Sequence, residues 1–159
     1  MLTVLIHGAD DPALLAQTLA PLVAGAVEGV LRDVVVLDAQ ADDVRRVADH
    51  AGCRLDGIEE VLAGAGTLKG DWILLVRAGE RLPDNWIDRV MRYAGGLSGK
   101  GEAARLPDPE AGVFDRLFGR SGGAVLVSKA ALAAKAPSAA GRIDRLLRSL
   151  RPRPMRRGG

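Results

Sequence analysis

Aromatic side chains are scarce in this sequence: two Trp, two Phe and one Tyr make up 3% of 159 residues. A core must therefore be built from Ala, Val, Leu and Ile, and few rings are left on which nucleic-acid bases could stack. The single cysteine, Cys53, excludes an internal disulfide and leaves the redox compartment open. At the end of a helical stretch it reads as a small core residue and not as a reactive thiol. No apolar run approaches the ~20 residues of a membrane span. The opening "MLTVLIHGADD" has neither the basic start nor the long apolar run of a signal peptide, so a cytoplasmic protein is expected.

What is present is the composition of a globular domain, 48% hydrophobic and 26% charged, with the length of one compact unit. The net charge of +2 is unevenly spread. From Lys135 onward there are eight Lys or Arg against one acid, Asp144, which leaves residues 1–134 at −5. The division expected is a main domain over 1–135, followed by a basic amphipathic helix and an unstructured Arg/Pro tail over 136–159.

Strand and helix signals alternate. "LTVLI" (2–6), "DVVVLD" (33–38), "CRL" (53–55) and "DWILLV" (71–76) read as buried strands. Between them lie a helix opened by Pro12 behind Asp10 or Asp11, with Leu15, Leu19, Leu22 and Val23 on one face, and a helix burying Val44, Val47, Ala48 and Ala51. "IEEVLAGAG" (58–66) is a short helix ended by glycine. Such alternation predicts right-handed βαβ units and an α/β fold with a mainly parallel sheet flanked by helices. Further on, a helix over 84–94 with Ile87, Val90 and Met91 inward precedes a long Gly/Pro-rich loop, 95–112. "GGAVLVSKAALAAK" (122–135) reads as a strand and a Ser128-capped helix, and "GRIDRLLRSLR" (141–151) as an amphipathic helix. "PRPMRRGG" shows no packing pattern.

Several catalytic signatures are missing. "GAGTLKGD" (64–71) precedes a strand, where a dinucleotide fingerprint must follow one, and "GGLSGKG" (95–101) has Gly101 where a phosphate loop needs Ser or Thr. No G-x-S-x-G turn occurs. His7 lies just past the first strand, where its ring could meet a ligand or simply sit in a loop, and His50 belongs on a helix surface. Asp38 ends an apolar strand at the crevice edge of a parallel sheet, placed either to bind a base or ribose or to serve as a helix cap or loop salt bridge.

With those elements in order, the chain resembles glycosyltransferase family 2. "TLAPL" (18–22) matches the family's T-L-x-x-L helix, "IHGAD" stands for I-P-x-x-N, "VLDAQADD" (36–43) for the V-D-x-x-S-T-D segment, and "LKGDWILLVRAGERLPDNW" for R-G-D-W-L-L-F-L-D-A-D-T-x-L-x-x-x-W. The resemblance spans residues 2 to about 94 and implies a GT-A-like (Rossmann-like) fold that binds nucleoside-diphosphate sugars, of a bacterial type associated with cell-envelope polysaccharide synthesis. In that family a divalent Mn or Mg held by the D-x-D acids neutralises the leaving diphosphate, and a separate acid deprotonates the acceptor.

Carried over position by position, the resemblance assigns nucleotide binding to His7, Gly8, Asp10, Asp38, Asp42 (or Asp43), Arg77 and Gly79. Arg77 and Gly79 occupy the two D-x-D positions, and Ala140-Gly141 falls where the family's E-D pair is expected. No residue is a secure catalytic acid or base; Glu80, Asp84, Asp108 and Glu110 are what remains. Three readings stay open. Arg77 replaces the metal, Glu80 binds one in a shifted register, or the site has lost its chemistry and the protein binds without catalysis or serves as an interaction module. The third is preferred, because carboxylates are missing at several independent positions. The basic stretch 142–157 suits an anionic membrane surface or an acidic protein, giving a membrane-peripheral character. Nucleic acid is disfavoured by the acidic main domain and the lack of aromatics.

Overall fold

A computed structural model describes residues 1–96, 103–109 and 122–155. Four strands, β1 (Leu2–His7), β2 (Leu31–Leu37), β3 (Arg54–Asp56) and β4 (Trp72–Arg77), pair in parallel in the order β3-β2-β1-β4. The sheet continues from β4 into β6 (Val125–Ser128), which is antiparallel to it, then into β5 (Ala104–Arg105) and β7 (Arg153–Pro154). It is a single seven-stranded mixed sheet, mostly parallel, with helices on both faces.

The strands read as unbroken apolar runs because both faces are covered. Val4, Ile6, Val36, Leu74, Val76 and Leu126 point to one side. There they meet α1 (Pro12–Leu19), α2 (Leu22–Val27), α3 (Asp42–His50) and α5 (Trp86–Gly96) through Leu15, Leu22, Val44, Ala48, Trp86 and Val90. Leu5, Val35, Leu37, Ile73, Leu75, Val125 and Val127 point to the other. They are covered by α4 (Ile58–Ala63), a 3-10 turn over Ala65–Thr67, α6 (Lys129–Ala139) and α7 (Ile143–Leu150). With so few rings, close approach replaces bulk: a β-carbon on Gly25 would lie 2.6 Å from Trp86, whose Nε1–H donates to the Pro21 carbonyl at 3.2 Å.

Several expectations are corrected. The helix expected to carry Leu15 through Val23 on one face breaks at Ala20–Pro21, since proline offers no N–H to continue it. The new axis of α2 buries Leu22 and turns Val23 outward, 63% exposed. Met91 is likewise turned out, at 51%. The stretch 58–66 is a six-residue helix followed by the 3-10 turn. The helix expected to end at Lys135 runs on through Pro137 to Ala139 as α6. Part of the 95–112 loop is β5.

The Arg/Pro tail is not wholly unstructured. Arg153 N–H donates to the Ala103 carbonyl at 3.0 Å and Met155 N–H to the Arg105 carbonyl at 2.9 Å, so β7 forms the sheet edge although proline sits in it. An edge strand tolerates that residue because only one side of the ladder is used. Glu110, Arg156 and Arg157 lie outside the described residues. Among the described residues no helix is long and apolar enough to cross a membrane.

Candidate functional site

The chain leaves β1 for β2 and β3 on one side and returns to place β4 on the other. Loops therefore diverge at the carboxyl ends of β1 and β4, the position at which open α/β sheets bind ligands. His7 and Arg77 are register partners there. Gly8, at φ +66, has no side chain to obstruct its neighbour: a β-carbon would lie 3.5 Å from Arg77 Cγ and 3.6 Å from its Nε. The arginine stem thus lies across a bare patch of backbone. Its guanidinium is exposed and has no hydrogen-bond or ion-pair partner among the described residues. Burial, and next the charge of Arg77, lower the pKa of His7 to about 4, so the ring is neutral at pH 7.

The turn after Arg77 is held from three directions. Ala78 N–H donates to the His7 carbonyl at 2.9 Å, and Gly79 N–H donates to the hydroxyl of buried Thr18, on α1, at 2.8 Å. That hydroxyl donates in turn to the Glu80 carbonyl at 3.3 Å. The Glu80 side chain faces inward: Oε2 accepts from Arg77 N–H and Oε1 from Gly123 N–H, both at 3.0 Å. One carboxylate thus closes its own turn and fastens it to the residues preceding β6. Gly79 has φ +93, and a β-carbon on it would meet a Leu14 methyl at 3.3 Å.

Structural comparison places this architecture. Glucosyl-3-phosphoglycerate synthase from Mycobacterium tuberculosis, in complex with UDP, superposes with a TM-score of 0.59 at 12% identity, covering 98% of this chain and 70% of that one. The same enzyme with Mn2+ and UDP-glucose gives 0.56 at 12%, covering 82% and 56%. A mannosyltransferase from Pyrobaculum calidifontis, in complex with GDP-mannose and Mn2+, gives 0.57 at 12%, covering 79% and 44%. The fold is GT-A-like. In these three superpositions the chain spans 70%, 56% and 44% of the length of the transferase it matches. No protein-family model and no curated protein matches the sequence.

On this GT-A-like frame the remaining acids are dispersed. Asp38 is exposed at the end of β2, with φ 53, and its Oδ1 accepts from Ile58 N–H at 3.1 Å, at the first residue of α4. One oxygen is thereby used as a helix cap, the structural alternative weighed for this residue. Asp42 is exposed at the first position of α3, and Asp43 accepts from Val44 N–H at 2.8 Å. Asp10 is exposed in the β1–α1 loop, where Asp11 is the cap of α1. His7, Gly8, Arg77 and Gly79 are gathered at the carboxyl ends of β1 and β4; Asp38 and Asp42 lie past the carboxyl end of β2, one strand over.

A divalent cation is a poor fit to these side chains. Arg77 brings positive charge, Gly79 brings no side-chain ligand, and both Glu80 oxygens hold backbone N–H groups. Among the described residues no group of three or more His, Cys, Asp or Glu is placed to hold a metal. Asp84 is exposed in a depression of about 310 Å³ between α2 and α5, beside Glu28 and Asp88. The contribution of Thr18 and Leu14 to the turn escaped sequence reasoning. "TLAPL" marked Thr18 as part of a helix, and the one available signal was a polar residue between Leu15 and Leu19 on the buried face.

Proposed function

We propose that this protein is a binding-only relative of the nucleotide-sugar glycosyltransferases, one that holds a nucleoside diphosphate or its sugar conjugate through Arg77, without a metal and without turnover. The observation that carries this reading is the unpaired Arg77 guanidinium at the topological switch point. A guanidinium presents two parallel N–H donors to a phosphate and carries charge that never titrates away. Neutral His7 and side-chain-free Gly8 leave that charge approachable. The absence of turnover is supported at the same turn: each oxygen of Glu80 already accepts a backbone N–H, which ties the carboxylate to the protein and aims it away from an acceptor hydroxyl or a cation. The setting we propose, on the strength of the family resemblance, is bacterial cell-envelope polysaccharide synthesis.

Calorimetric titration with UDP, GDP and their sugar conjugates, with and without Mn2+, tests this. Binding is expected without metal and to weaken at least tenfold in Arg77→Ala, while the sugar nucleotide stays intact over hours. Binding that needs Mn2+, or that survives Arg77→Ala, would overturn the role given to the guanidinium. Release of free nucleoside diphosphate would overturn the absence of turnover and mark a working, metal-independent transferase.

A further inference from the structure

The basic part of the sequence is sorted by α7 into two faces. Ile143, Leu146, Leu147 and Leu150 pack into the core beneath α6, whereas Arg142, Arg145 and Arg148, spaced three apart, are exposed on the outer side. Arg151 and Arg153 extend the exposed row past the helix end. Asp144 is the one acid among them and is shared by two arginines, Arg148 at 2.8 Å and Arg142 at 3.4 Å. Arg145 and Arg151 keep guanidinium groups without side-chain partners among the described residues.

We infer that this arginine face is a peripheral docking surface for an anionic lipid bilayer. Two features favour a bilayer. Residues 1–134 carry −5, so a negatively charged plane repels the rest of the protein and attracts this outer face, which fixes one orientation. The apolar side of α7 is already committed to the core, so contact rests on guanidinium–headgroup attraction without insertion. The surface lies on the outer side of α7, whereas Arg77 stands at the carboxyl end of β4.

The full chain is tested by co-sedimentation with phosphatidylcholine vesicles, with or without phosphatidylglycerol, at low and high salt. Binding is expected only to the phosphatidylglycerol vesicles and to disappear at high salt. Each arginine near such a surface contributes roughly a fivefold factor, so Arg145→Ala with Arg151→Ala should weaken binding by roughly 25-fold. Neither side chain has a partner to lose, so thermal unfolding should be unchanged. Arg46→Ala, on exposed α3 across the sheet, serves as control and should bind as the parent does. Absence of binding, equal binding to neutral vesicles, or an equal loss in Arg46→Ala would each overturn the inference. Capture by poly-glutamate in place of vesicles would also overturn it and assign the face to an acidic polypeptide.

Discussion

Acidification should strip stability from this protein through His7. Its folded pKa is about 4 against an ordinary value of 6.5, because protonation would place a charge in a part-buried site beside Arg77. The unfolded chain therefore binds the proton first as pH falls, and stability is lost from about pH 6.5 down to about pH 4. At ~1.4 kcal/mol per unit the ceiling is roughly 3 kcal/mol, of which about 2 kcal/mol is gone by pH 5. For a domain of this size that amounts to a Tm drop of roughly 4–8 °C between pH 7 and pH 5. Carboxylates contribute slopes of their own, so the quantity to measure is the difference between the parent and His7→Gln. The variant lacks the titrating ring and should lose less on acidification by that amount. A proton NMR titration is simple with two histidines in the chain and should show the His7 ring still neutral at pH 5. Parallel stability curves for parent and variant would refute the account, as would a His7 midpoint near 6.5.

Two further outcomes concern packing and the turn. Glu80→Gln replaces one acceptor with an N–H2 group facing a backbone N–H and should cost about 2 kcal/mol in urea unfolding; a loss under about 0.5 kcal/mol would mean that the carboxylate does not staple the turn to Gly123. Gly25→Ala forces a β-carbon against the buried Trp86 ring and should cost roughly 1–3 kcal/mol. Combined with Trp86→Phe, which shortens the ring, that penalty should shrink, so the double variant is less destabilised than the sum of the two single ones.

The parallel half of the fold was legible in the sequence because buried strands such as "VVVL" and "WILLV" cannot hide their composition, and Asp11, Pro12 and Ser128 announce their helices. The sheet edge was not. β5 and β7 are two-residue strands, one beside a Gly/Pro-rich loop and the other containing proline, and their pairing comes from long-range partners that no local pattern encodes. At the carboxyl end of β4 the turn was legible and its hydrogen bonds were not. Residue types along "LLVRAGERL" marked the end of the strand, yet nothing in them told that Glu80 turns back onto the Arg77 N–H or that Thr18 reaches Gly79 from 61 residues away. Asp38 was left open between ligand and cap, and a single oxygen on Ile58 N–H is a fact only coordinates supply.

The backbone of Gly79 also constrains what this turn can be changed into. Placing acids at both positions, Arg77→Asp and Gly79→Asp, would not by itself build a cation site. An aspartate at 79 meets a φ of +93 that side chains rarely adopt, and its β-carbon presses on Leu14. The Thr18 hydroxyl and the Glu80 carboxylate hold the turn in that shape, so the turn, Leu14 and the staple would have to change together. A cation site at this turn therefore lies several coordinated changes away from the present sequence, and each of them would disturb the turn before it supplied a ligand.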